Sequence, residues 1–185
     1  MAFLNYPSNY KPSANWLSDL GNPEANPSGA YFYNLGCILA SLILIVFYIG
    51  LIKWNNNNKK MKILLTIAQV MGIFSVFSLI LAALFPLGPY SPIHSFWSAV
   101  LSVGIGFFLT FSATALLKHP VFKKWIAYYA FSAALVNFAY GMSEVIGYRF
   151  FVGEWIAIGL FIFYILLIAY NSMAFPTRIT ICKDT

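Results

Sequence analysis

Five long apolar runs constrain this chain more than anything else in it. They cover residues 31–52, 63–85, 96–117, 125–146 and 155–175, each 21 to 23 residues long. A helix rising 1.5 Å per residue needs roughly 20 residues to cross a hydrocarbon core of ~30 Å. Each run therefore fits one passage. The expected fold is all-α, an integral membrane bundle of five transmembrane helices. Residues are 61% hydrophobic and only 9% charged, against ~25% charged in soluble domains. A water-soluble fold would lack the polar residues to cover itself. The 185 residues suit one domain: an N-terminal segment 1–30, the five-helix unit 31–175 and a tail 176–185.

Charge sorts between the connections. Lys53, Lys59, Lys60 and Lys62 flank the first loop, and Lys118, Lys123 and Lys124 flank the third. Arg178 and Lys183 lie in the tail, so nine of the eleven basic residues fall on one face. The positive-inside rule makes that face cytoplasmic. The acids Asp19, Glu24, Glu144 and Glu154 fall opposite, with only Asp184 inside. The expected arrangement is a multi-pass protein of the cell membrane, N-terminus outside and C-terminus cytoplasmic. The net charge of +6 is then a topology signal, and nucleic acid is not an expected partner.

Local signals refine this picture. The first 30 residues carry no apolar core of a signal peptide, so the first span is expected to act as a reverse anchor. Asn26-Pro27 reads as an N-cap followed by the first helical position, and Ser91-Pro92 reads the same way. The second places His94 in the first turn of the third helix. The asparagine run 55–58 reads as a connector, and Arg149–Glu154 as the last outer loop. Cys37 and Cys182 lie on opposite sides with no C-x-x-C spacing, so no thiol chemistry is expected.

Ionisable groups within spans are costly and often functional. Here they gather at the outer end: His94 at the start of the third span, Glu144 in the last turn of the fourth, and Asp19 in the segment above. Asn34 lies one turn into the first span. Ala134, Asn137, Gly141 and Glu144 share a face of the fourth helix, and Ser91, Ser95, Ser98 and Ser102 a face of the third. The pattern suggests an outward polar cup floored by Asn137 and walled by serines. Structural roles compete at every position. His94 could cap or pack at a helix start, Glu144 could pair with Arg149, and Ser18-Asp19 is a common turn arrangement. The serines, Gly36-x-x-x-Ala40 and Gly72 suit a seam where helices approach closely.

Several blocks carry a family resemblance. Trp16-Leu17-Ser18-Asp19-Leu20-Gly21-Asn22 and Tyr33-Asn34-Leu35-Gly36 form the first. Leu84-Phe85-Pro86 with Ile93-His94-Ser95-Phe96-Trp97-Ser98-Ala99 forms the second, and Tyr140-Gly141-Met142-Ser143-Glu144 with Glu154-Trp155 the third. Together they resemble the prokaryotic membrane family called domain of unknown function 998. Its members usually carry one more span ahead of the first block. More distantly, the pattern is similar to the eukaryotic DRAM and Sfk-type families and to the protein that remodels lipids on glycosylphosphatidylinositol anchors. That likeness implies lipid handling near the outer leaflet and supplies no established reaction.

Three functions follow as expectations. The first is a lipid hydrolase or acyltransferase using Asp19, His94 and Glu144. His94 would be base or ligand, and Ser18, Ser95, Ser98 or water would attack an ester. Asn34 and Asn137 would complete the binding site. One His and two carboxylates could also hold a divalent ion, although not at a diagnostic spacing, and no cofactor can be named. The second is a non-catalytic lipid-binding or accessory subunit, associated with other membrane subunits or with copies of itself. The third is a small transporter, disfavoured because the inner half offers only Gln69, Thr110, Thr114 and Asn171.

Overall fold

A computed structural model describes residues 1–7, 9–55 and 58–173. Five helices run antiparallel in sequence: α1 Ala30–Gly50, α2 Lys59–Leu84, α3 Ser91–Leu116, α4 Lys124–Val145 and α5 Phe151–Met173. A 3-10 turn, Leu51–Trp54, extends α1, and two more, Phe3–Asn5 and Leu17–Gly21, lie in the N-terminal segment. The described chain is all-helical, and the protein is polytopic and membrane-embedded. Among the described residues four helices, α1 with its extension, α2, α3 and α5, are long and apolar enough to cross a membrane. The fourth helix is less apolar, carrying Lys124, Asn137 and Glu144.

Helix starts differ from their local signals where tertiary contacts intervene. The first helix begins at Ala30, not at Pro27. The Asn26 side chain is turned away to the carbonyls of Ala2 and Leu20, so it cannot cap. The third helix begins at Ser91 with Pro92 in its first turn, as the Ser-Pro pair predicts to within a residue. Asn58 caps α2, its side chain accepting from the Lys60 and Met61 N–H groups. One residue of the asparagine run therefore satisfies donors that a helix start leaves free. The fifth helix starts at Phe151, so Glu154 sits in its first turn and not in a loop. Arg178, Cys182, Lys183 and Asp184 lie outside the described residues.

The third helix is the central member, flanked by α2 and α4. Its Phe108 is fully buried and meets Tyr48 edge-on at 4.9 Å, Tyr164 at 6.0 Å and Phe161 at 6.2 Å. One ring thus touches α1 and α5 together. Polar staples reinforce the packing, as expected where lipid tails supply no hydrophobic drive between helices. Gln69 Nε2 donates to the Tyr48 carbonyl, Tyr129 Oη to the Leu160 carbonyl, and Ser112 pairs with the Tyr164 hydroxyl at 2.9 Å.

Two glycines expected to serve one purpose serve two. A Cβ on Gly72 would meet the Tyr48 ring at 2.5 Å, so α1 and α2 approach there as a small-residue seam requires. A Cβ on Gly36 would meet nothing within 4 Å. Gly36 and Ala40 instead hollow a groove between α1 and α5.

Because Phe108 fills the space between helices, Phe108→Ala should destabilise the bundle by about 3–5 kcal/mol. Denaturant titration of the purified protein in mild detergent checks this; a loss below ~1 kcal/mol would show that the rings do not hold the bundle together.

Candidate functional site

The site begins with a backbone vacancy. In α2 the carbonyl of Ala82 should accept the N–H four residues on, but that residue is Pro86, which has none. His94 fills the gap: its Nδ1 lies 3.0 Å from the Ala82 oxygen and 3.1 Å from the Phe85 oxygen. Carbonyls only accept, so in the neutral ring Nδ1 carries the proton and Nε2 keeps its lone pair. His94 is 6% exposed, and its Nε2 is buried with no hydrogen-bond partner.

His94 lines a cavity of about 50 Å³, walled also by Trp16, Ser18, Leu87, Ser95, Ser98, Tyr140 and Glu144. Glu144 shares this wall with the hydroxyl-bearing Ser95 and Tyr140. A second cavity of about 30 Å³ shares Ser18, His94 and Ser98 with the first and adds Tyr33, Cys37 and Glu154. It in turn shares Tyr33, Cys37, Leu79, Leu101 and Ile158 with the apolar groove between α1 and α5, of about 510 Å³. The apolar groove and a cavity lined by His94 thus share walls.

The N-terminal segment roofs the cavity. Glu154, 4% exposed, accepts the Leu17 N–H at 2.6 Å and the Ser18 N–H at 3.4 Å through Oε2. These are donors that the start of the 17–21 turn leaves free. Asn34 Nδ2 donates to the Gly21 carbonyl at 2.9 Å. Glycine is required at position 21 because a Cβ there would meet Asn34 at 2.4 Å and Tyr33 at 2.5 Å. Trp16 packs on Phe151 with ring centroids 4.6 Å apart. Tyr10 donates to the Trp16 carbonyl and meets the Trp155 ring edge-on.

Among the residues expected from sequence, Ser18, His94, Ser95, Ser98 and Glu144 line one cavity. Asp19 does not line it. Its Oδ2 turns to the Trp16 N–H at 2.9 Å, while its charge stays within electrostatic reach of His94. Asn34 holds the roof. Asn137 lies outside both cavities and joins α4 to α5, Nδ2 facing the Ala133 and Ala157 carbonyls. The serine-walled cup is therefore roofed by the N-terminal segment, and Asn137 is not its floor. Among the described residues no three His, Cys, Asp or Glu side chains gather as metal ligands: His94 spends Nδ1 on carbonyls and Asp19 is turned away.

Glu154 was not among the candidates, because beside Arg149 it resembles a loop acid. The signal that marks it is its position at the head of an otherwise apolar run, where a carboxylate is costly unless it has donors to accept from.

The segments named above as family-like are the ones that build this site. Residues 2–173 match the model of the family described as Protein of unknown function (DUF998). The chain belongs to the DUF998 family. No curated protein and no solved structure matches it. In this DUF998 protein the Ser-Asp-Leu-Gly block supplies the roof, the Phe-Pro and His-Ser blocks the imidazole and its anchor, and the Tyr-Gly-Met-Ser-Glu and Glu-Trp blocks the two carboxylates.

Burial raises the Asp19 pKa above the ordinary carboxylate range. The native state then holds its proton more tightly than the unfolded chain, so stability present at low pH is lost as pH rises through the raised value. Asp19→Asn keeps an acceptor for the Trp16 N–H without the charge. It should lose less stability between pH 4 and pH 8 than wild type in thermal unfolding; parallel curves would overturn this role for Asp19.

Proposed function

We propose that the protein handles a membrane lipid at the outer leaflet of the cell membrane, with an acyl chain in the α1–α5 groove and the polar end beside His94. The observation that carries this reading is the sharing of walls between a lipid-facing apolar groove and a buried cavity lined by His94, whose Nε2 has no partner. Binding sites for small amphiphiles combine these parts: an apolar trough for area and a few converging polar groups for orientation.

The reading includes five membrane crossings with the acidic end outside. The 22 residues of α4 rise about 33 Å as a helix, and α4 packs along α3. Lysines sit at the end opposite Asp19 and Glu154, which under the positive-inside rule orients the site outward.

As a hydrolase or acyltransferase, the site would use the His94 Nε2 lone pair to take the proton from an attacking water or serine hydroxyl. Its Nδ1–H is held by two carbonyls, which fixes the ring as the base of a catalytic pair is normally fixed. Ser18 and Ser98 both line the two cavities with His94, so they are the serines placed to attack. A non-catalytic lipid-binding or accessory subunit is the second reading. It is favoured by the outward face of α1, where Leu39, Leu42, Ile43, Val46 and Ile49 are exposed and available to another membrane subunit.

Photo-crosslinking with a diazirine-bearing acyl lipid in native membranes tests the first reading. Wild type should label on α1 and α5 along the groove, and Gly36→Phe, which fills open space, should cut labelling several-fold. Equal labelling of both proteins would sink the groove assignment. His94→Asn keeps a donor for the Ala82 carbonyl and removes Nε2. Retained labelling with lost lipid turnover in that variant would establish catalysis, and no turnover by wild type on extracted membrane lipids would favour the accessory reading.

A further inference from the structure

Resting on the lipid reading, a further inference concerns which head group the cavity takes. The polar atom there that lacks any partner is an acceptor, and the hydroxyls of Ser18 and Ser98 can donate or accept. The two cavity linings contain no Lys and no Arg. His94 Nε2 is an acceptor by its tautomer, is buried and has no partner. Glu144 and Glu154 bring two carboxylates to walls that His94 also lines.

Many of the nearby donors are already committed. The Leu17 and Ser18 N–H groups meet Glu154. The His94 Nδ1–H is held by carbonyls. A ligand that satisfies Nε2 must therefore supply a hydrogen. An anion has no hydrogen to give and would leave Nε2 unsatisfied, with no Lys or Arg in either lining to pair with it.

We infer that the His94 cavity selects the hydroxyl or ammonium head of a neutral or cationic amphiphile and rejects phosphate and carboxylate heads. Nε2 takes one donated hydrogen bond, and the carboxyl oxygens of Glu144 and Glu154 offer further acceptors on the same walls. The small volume of the cavity suits one such group and leaves the rest of the head beneath the Trp16 roof.

Chain-matched amphiphiles test this on the purified full-length protein in mild neutral detergent. Monolauroylglycerol (hydroxyl), dodecylamine (ammonium) and dodecyl phosphate (anion) are titrated while thermal unfolding is followed by tryptophan fluorescence. The hydroxyl or ammonium probe should raise Tm by several degrees, the stronger of the two identifying the source of the donor, and dodecyl phosphate should not. His94→Asn, which still serves the Ala82 carbonyl, should bind the preferred probe roughly tenfold more weakly, the loss of one buried hydrogen bond. Glu144→Gln should lose discrimination against phosphate. Should either variant fail to fold, the wild-type ranking alone decides. Equal or tighter binding of dodecyl phosphate, or no shift with any probe, overturns the inference. If the diazirine lipid still labels the groove in that case, the head-group assignment falls and the lipid reading stands; if labelling is absent too, both fall.

Discussion

A single missing hydrogen organises the acidic end of this protein. Within a membrane a backbone carbonyl has no water to turn to, so each must find a donor inside the protein. Pro86 cannot supply one to Ala82. The imidazole of His94 can, and in doing so it joins the end of α2 to the start of α3. The same bond decides the chemistry. A ring whose Nδ1 proton is held by two carbonyls must present its other nitrogen as an acceptor, and that nitrogen is buried without a partner in a side chain that lines the roofed cavities. A structural need and a functional capacity are thus met by one side chain.

The roof follows a similar logic from the other side. A short 3-10 turn begins with free N–H groups, and Glu154 at the head of α5 offers a carboxylate that would be costly to bury without donors. Each supplies what the other lacks. Because Gly21 has no side chain, the turn can settle on Asn34 and Tyr33, and the site is closed by a segment far in sequence from the helices it covers. The groove that approaches from the lipid side arises by omission: Gly36 and Ala40 are too small to fill the space between α1 and α5.

Much of this was legible in the chain, and what was not shares one cause. The helices announced themselves by length and apolarity, and His94, Glu144, Ser95 and Ser98 stood out because polar groups at membrane depth are expensive. Ser18 joined them through the family-like block. The start of α1 was misplaced because Asn26, a good cap by local rules, spends its side chain on carbonyls of Leu20 and Ala2. Asn137 shares a helix face with Glu144, yet its amide is taken by the Ala157 carbonyl of the neighbouring helix. Glu154 was passed over for the opposite reason: its partners, the N–H groups of Leu17 and Ser18, lie far away in sequence, so nothing local separates it from a loop acid. Gly36 reads as a packing contact until its surroundings are seen to be open.

By itself, the sequence determined that the chain is a helical membrane bundle, where its polar groups congregate and which family it belongs to. Hydropathy, charge asymmetry and short motifs are properties of consecutive residues, and the bilayer acts on them directly. Only the tertiary structure decided the direction of each polar atom: that the His94 proton lies on Nδ1, that Asp19 turns away from the cavity, that Glu154 holds its roof and that Gly36 opens its approach. Those outcomes depend on which donor meets which acceptor across helices, and pairings between distant segments leave no trace in local spacing.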